Sequence, residues 1–357
     1  MEKAKTERNY GIDLLRIFAM MMIVLLHVIN QGGVLNATAG NVVNHLIARF
    51  LVTTAYGAVN CYALVSGYVG VYSKHRHSSL MQLYLQVIFY TVAMTSVFYF
   101  LSSDKIGMRS FLNAFLPVSN ESYWYFTAYF GMYFFAPFLN KMILSLSKRE
   151  AKTLIITIIM VLSVIPCVFQ KDVFKSAWGY SMIWLCALYL FGGCIKITES
   201  ERKINKKTAF VIFIICIFIT YASTFLDGIN KYTFLLTYTS PTVLISAVAL
   251  LVLFSQLKFK EGFKKVISFF SPLAFGVYLI HTEPHVWNEV LLGRFSRFGN
   301  ESPAFFVLII FVITFAIWFS CSMIDYVRIK IFKLIQIKKM CAKVEDKLKK
   351  ISLLILQ

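Results

Sequence analysis

The 357-residue sequence is poor in charge, and poorest in negative charge. Only 15% of its residues are charged, and 17 acidic side chains stand against 36 basic ones. A soluble domain carries about a quarter charged residues, so a water-exposed surface along the whole chain is excluded. Proline is scarce, at seven positions, and no repeat, low-complexity stretch or linker divides the chain. The longest segments between apolar runs, around Gly32–Ile47 and Ser102–Glu121, are short. A large catalytic domain outside the membrane is thereby excluded, and any active site must lie within a helix bundle or at its mouth. The seven cysteines include no CxxC pair and fall mostly inside apolar runs. They read as small buried hydrophobes rather than a disulfide or metal framework.

What is abundant is apolar surface. Hydrophobic residues make up 58% of the chain and mean hydropathy is +0.69, the composition of a polytopic membrane protein. The fold class expected is all-α, with about ten transmembrane helices over 10–31, 48–72, 80–101, 122–143, 153–170, 177–197, 208–226, 234–255, 266–290 and 303–325. Taking the intervening segments alternately, 27 Lys and Arg fall on one side and 8 on the other, with Arg16 inside the first span. The positive-inside rule then places both termini in the cytoplasm. The net charge of +19 follows from this topology and from attraction to an anionic inner leaflet, so it calls for the lipid bilayer as partner and no nucleic acid. The first span lacks a small-residue cleavage site and reads as a retained start-transfer segment. A transmembrane domain over 1–329 is followed by a basic tail, 330–357, that interleaves Ile, Leu, Phe and Met with Lys. The tail is expected to lie as an amphipathic helix on the inner membrane face.

Ionisable groups within apolar spans are expensive and mark functional sites. The first span, Arg8–Gly33, carries Asp13 and Arg16 near its start and His27 near its end. Eleven positions at about 100° each return Arg16 and His27 to one face, roughly 16 Å apart along the axis. Asp13 and Arg16, three apart, are placed to pair. Snorkelling of Arg16 and simple packing of His27 are the competing explanations. The second span carries Asn60, Tyr62 and Ser66 and ends in Ser66–Gly67–Tyr68, small and polar residues that let helices approach. The fourth opens with Trp124, Tyr125, Tyr129 and Tyr133 and contains Pro137. That density suits either an interfacial aromatic belt or a sugar-binding cleft, in which flat faces stack on pyranose rings. Pro166 and Pro241 are expected to bend their helices. In the ninth, Ser271–Val290, Tyr278, His281 and Glu283 lie beside Pro284. His281, His285 and Glu289 recur at spacing four, but the intervening proline argues against a metal site, and none is expected.

Arg16–ten residues–His27 preceded by Asp13, the Ser66–Gly67–Tyr68 ending, the Trp124–Tyr125 helix entry with Pro137, and Ser271–His281 occur here in that order. Together they resemble the membrane-bound acyltransferase-3 family, bacterial O-acyltransferases of surface polysaccharides, over nearly the whole chain. The resemblance implies a multi-pass protein of the bacterial inner membrane. It would take an acyl group from a cytoplasmic donor, usually acetyl-CoA, to a carbohydrate hydroxyl outside, with a surface polysaccharide or lipid-linked glycan as acceptor. It implies no permanently bound cofactor. The chain departs from some members in lacking a fused hydrolase-like domain, and the loop after Tyr68 is less arginine-rich.

The residues suit that chemistry. Arg16 binds phosphates bidentately and stays charged at any depth. His27 acts either as general base on a sugar hydroxyl or as transient acyl carrier, roles that both need the neutral imidazole favoured by an apolar surround. Asp13 holds Arg16, while Trp124, Tyr125, Tyr129, Tyr278, His281 and Glu283 are the expected acceptor contacts. A glycan transporter or flippase without acyl-transfer chemistry is the alternative. Such a protein is expected to show internal repeats and paired broken helices, and neither is found in the sequence.

Overall fold

Asn9 starts the first helix, α1 (Tyr10–Ile29). Its side-chain oxygen accepts the backbone N–H groups of Gly11 and Ile12, two of the donors a helix start leaves unpaired, and its amide donates to the Ser255 carbonyl at 2.9 Å. In this computed structural model, which describes residues 8–101, 106–201, 203–226 and 235–355, α1 is the central pillar. Its membrane-length window is 72% buried, against 17–50% for every other long apolar helix. A helix apolar on all sides is covered either by lipid or by other helices, and around α1 it is mostly other helices.

The surrounding helices are α2 (Val42–Ala55), α3 (Ala58–Gly70), α4 (His77–Leu101), α5 (Met108–Phe115), α6 (Trp124–Ser145), α7 (Lys148–Phe169), α8 (Met182–Ile197), α9 (Lys206–Ser223), α10 (Pro241–Ser255), α11 (Glu261–His281), α12 (Pro303–Leu334) and α13 (Ile337–Ile355). There is no strand among the described residues. Among the described residues, seven helices or joined helix pairs are long and apolar enough to cross a membrane: α1, α2 with α3, α4, α7, α9 through Leu226, α11 and α12. The protein is an all-α, multi-pass membrane protein. Helices α6, α8 and α10 fill the remaining expected spans, with α8 and α10 shorter than the other apolar helices, at 16 and 15 residues. Lys3, Lys5, Lys105, Arg202 and Lys231, counted in the charge bias, lie outside the described residues, as do the outer ends of the two expected domains.

The differences from the expected spans have local causes. The second is broken at Tyr56–Gly57 into α2 and α3. Pro241 begins α10 rather than bending it, because at the first helical position its missing N–H costs nothing. Pro166 follows a π turn at Met160–Val164, the local widening that lets α7 accommodate a proline. The ninth span does not run on to residue 290. It is interrupted by a 3₁₀ turn at Ser271–Leu273 and stops at His281, after which the chain turns at Thr282–Glu283 into Pro284–Val286 and a π turn, Trp287–Leu291. At the far end, α12 continues past Arg328 to Leu334 before the tail helix α13 begins.

Small residues set the tightest helix contacts. A Cβ on Gly67 would sit 1.9 Å from the Tyr189 carbonyl oxygen, and one on Gly192 would sit 2.0 Å from that of Leu64, so α3 and α8 pack backbone to backbone. Asn60 ties the same pair, accepting from the Trp184 indole at 3.0 Å and donating to the Tyr238 carbonyl at 2.8 Å. A second polar lock lies where α12 meets α4 and α11. Asp325, fully buried, accepts from Arg328 at 2.8 Å through both oxygens, from the Tyr90 hydroxyl at 2.7 Å and from Gln86 at 3.2 Å. Arg328 is among the 27 cations counted on one side of the charge bias. It is 8% exposed and paired inside the bundle. Helix α13 rests on α4, where Glu345 accepts the Ser78 backbone N–H. Hydrogen bonding from Ser78, with support from Lys349, holds the Glu345 carboxyl down to about 2. All seven cysteines are free, buried or half-buried thiols.

Candidate active site

One stripe of α1 carries the site. Arg16, Met20, Ile23 and His27 stand at positions i, i+4, i+7 and i+11, so a regular helix aligns them along one face. Near the start of that stripe, the buried Asp13 carboxylate gathers Arg16 at 2.8 Å, Arg8 at 2.5 Å and the Ser271 hydroxyl at 3.2 Å. The break in α11 at Pro272 is what brings Ser271 to it. Arg8, Arg16 and Lys196 line a cavity of about 510 Å³ together with Tyr68, Tyr72 and Ser73. Lys196 is held by Glu199 at 2.6 Å and lies over the Tyr68 ring, 4.7 Å from its centre. Tyr68 in turn donates to Glu199 at 2.7 Å. Three cations against the Asp13 and Glu199 carboxylates leave this cavity one positive charge in excess, suited to phosphate groups.

Roughly 16 Å along the helix, His27 meets His281 of α11. His27 Nδ1 lies 2.9 Å from His281 Nε2, and His281 Nδ1 lies 2.5 Å from the Val277 carbonyl oxygen. A carbonyl only accepts, so His281 Nδ1 carries a proton. With both rings neutral, His281 Nε2 is then the acceptor and His27 Nδ1 the donor. The remaining nitrogen, His27 Nε2, keeps its lone pair. The Trp287 ring stands edge-on to His27 at 4.9 Å, brought back over it by the turn that ends α11. The chain beyond is stitched to the end of α1 by backbone bonds from Gly293 to Gln31 at 2.8 Å and from Phe295 to Gly32 at 2.9 Å.

His27 opens onto a narrow cleft of about 40 Å³ whose walls include Met20, Ile23, Tyr62, Trp124, Tyr125 and Tyr278. It admits a group of a few heavy atoms and no sugar ring. The basic cavity and this cleft share no lining residue, and Arg16 of the one stands a single helical turn from Met20 of the other. Tyr62 spans that boundary, lining the cleft while its hydroxyl donates to the Arg16 carbonyl at 2.7 Å.

The expected acceptor residues take different positions. Trp124, Tyr125 and Tyr278 line the cleft, whereas Tyr129 lies behind it, stacked on Tyr125. Trp124 packs against Tyr180 at 4.6 Å and Tyr238 at 6.0 Å, so other rings cover it. His281 faces His27. Glu283 is 2% exposed and caps the next turn, accepting the N–H groups of His285 and Val286, while burial pushes its carboxyl up to about 7. Sequence reasoning missed Arg8, Lys196, Tyr62, Tyr238 and Trp287. Spacing would have found Met20 and Ile23, but nothing local links Lys196 or Trp287 to α1.

A family model described as an acyltransferase domain, that of the acyltransferase-3 family, matches residues 9–323, from the cap of α1 into α12. The chain belongs to the acyltransferase-3 family. It has no significant match among curated proteins and none among solved structures. An acyltransferase has to bring an acyl carbonyl, a nucleophile and a proton acceptor together. In this acyltransferase, His27 keeps a lone-pair nitrogen and lines a narrow cleft walled mostly by aromatic and aliphatic side chains.

Proposed function

We propose that this acyltransferase transfers an acetyl group from cytoplasmic acetyl-CoA to a hydroxyl of a surface polysaccharide or lipid-linked glycan across a bacterial inner membrane. The observation that carries the reading is the His27–His281–Val277 chain of hydrogen bonds, set on the same stripe of α1 as Arg16. On this reading ten helices cross the bilayer, with α6, α8 and α10 completing the seven longer spans. The bias of 27 cationic side chains against 8 puts both termini and the Arg16 cavity on the cytoplasmic side.

The donor's phosphates then sit against Arg16, Arg8 and Lys196, with Asp13 fixing the Arg16 fork. The pantetheine arm follows the stripe past Tyr62 and Met20, and the thioester reaches His27. The cleft's small volume favours acetyl over bulkier acyl groups. His27 Nε2 acts as general base, taking the proton of the acceptor hydroxyl as its oxygen attacks the thioester carbon. Trp124 and Tyr278 receive the acceptor after the aromatic wall opens.

The test supplies labelled acetyl-CoA to the cytoplasmic face of membrane vesicles containing the protein and its glycan. Wild type is expected to move label onto carbohydrate and His27→Ala, at equal protein level, to move none. Equal labelling by the two would refute the role of His27. Absence of labelling by wild type would refute the acetyl-CoA-to-glycan reading itself.

A further inference from the structure

We propose that the protein holds an anionic phospholipid at its tail helix, with an acyl chain in the apolar groove between α4, α6 and α13 and the phosphate headgroup against the lysines along the groove's lip. The inference concerns lipid binding and stands apart from the acyl-transfer reading.

Three helices build the groove, a space of about 550 Å³. Leu80 and Tyr84 line it from α4, and Phe130 and Phe134 from α6. The Tyr84 and Phe130 rings meet at 5.6 Å and join those two walls. Met340, Val344 and Leu348 of α13 supply the third. Helix α13 is fastened to α4 along a neighbouring line, where Cys341 is buried and Glu345, one turn on, accepts the Ser78 backbone N–H at 3.2 Å. The fastening leaves Phe134, Met340, Val344 and Leu348 about half exposed. A groove so walled takes an apolar occupant in preference to water.

Charge decides which occupant. Around α13, at about 100° per residue, the fastening pair Glu345 and Cys341 comes first, then the stripe Leu348, Val344 and Met340. Lys347, Lys343, Lys350 and Lys339 follow on the far side of the stripe, all exposed, with Asp346 at the outer edge of that arc. On the α4 side, His77 lines the groove and follows the exposed Lys74 and Arg76. The Tyr133 hydroxyl of α6 donates to the Arg76 carbonyl at 2.8 Å and fixes that loop beside the groove. An apolar channel with cations along its lip complements a molecule with an apolar tail and an anionic head. A zwitterionic lipid would bring an ammonium into the same field. A protein helix is too thick, since two turns, about 10 Å across and 11 Å long, exceed the groove's volume. The topology proposed above also puts this lip at the inner leaflet, where anionic lipids attract such lysine clusters.

The test uses the full chain in phosphatidylcholine vesicles doped with phosphatidylglycerol or phosphatidylethanolamine, each with a photoreactive diazirine on one acyl chain, followed by peptide mapping. Phosphatidylglycerol is expected to label segments 77–85, 130–134 and 340–348 about tenfold more than phosphatidylethanolamine does. The exposed apolar face of α9, from Phe210 to Phe218, should show no such preference. Lys343→Gln combined with Lys347→Gln should cut the preference to about threefold or less. Equal labelling of the groove by the two lipids overturns the inference, and so does an undiminished preference in the double variant. A crosslink between two copies through the groove overturns it as well, by making a second copy the occupant. Should the double variant fail to fold, the comparison of the two lipids on wild type decides. No readout here uses acyl transfer, so failure of the lipid site leaves that reading standing, and a protein inactive with acetyl-CoA still tests the site.

Discussion

Replacing His281 with Ala tests the hydrogen-bond chain on which the site depends. The His27 Nδ1–H now bonded at 2.9 Å would lose its acceptor, and nothing would select the tautomer that leaves Nε2 free. An unpaired donor in a buried setting costs about 1–3 kcal/mol. At about 1.4 kcal/mol per factor of ten, that is roughly a 5- to 150-fold loss of rate. The lost orientation acts in the same direction, as when a partner that holds a working imidazole is removed. On the proposed reading the donor binds in the Arg16 cavity, which the substitution leaves untouched, so the loss should fall on kcat and not on KM for acetyl-CoA. Gln at 281 is the informative control. Its side-chain oxygen can accept from His27 while its amide donates to the Val277 carbonyl, so most of the rate should return. The assay is transfer of labelled acetyl to glycan by purified protein in vesicles, with the thermal midpoint of each variant as a check on folding. A folded His281→Ala variant with kcat within twofold of wild type would refute the tautomer argument.

Two further outcomes follow from the charged groups. Arg16→Lys keeps the cation but loses the planar fork, and KM for acetyl-CoA in the same vesicle assay should rise by about tenfold or more with little change in kcat, whereas a snorkelling residue would tolerate the change. Asp325→Ala leaves Arg328 buried without its carboxylate and should cost about 3–5 kcal/mol, read as a lowered thermal midpoint in detergent; adding Arg328→Leu should recover much of it, and a single variant as stable as wild type would show that the pair holds nothing together.

The membrane class, the helical composition and the position of nearly every helix were legible in the chain's own pattern. Apolar length and the period of 3.6 are local properties, and the bilayer rewards them directly. The alignment of Arg16 with His27 was legible for the same reason: both lie on one uninterrupted helix, whose geometry needs no neighbour to be known. So was the close approach at Gly67, because a missing side chain permits contact wherever the partner lies. Helix ends were less legible. The stop at His281 and the start at Pro241 depend on turns whose cost only the surrounding packing sets.

What joined separate helices belonged to the tertiary structure. Nothing local distinguishes His281, 254 positions from His27, from a residue awaiting a substrate, and only the packing of α11 on α1 turns it into a partner. Arg328 looks like one more cation of the charge bias until Asp325 pairs with it and α4 supplies Tyr90 and Gln86 around that carboxylate. Trp124 reads as an open stacking face until Tyr180 and Tyr238 cover it, and the Tyr125 hydroxyl is left without a partner where those of Tyr62 and Tyr123 reach backbone carbonyls. A side chain's period along a helix is written in its sequence, but whether its polar atom is paired is a property of three-dimensional neighbours, and the chemistry of this site turns on that pairing.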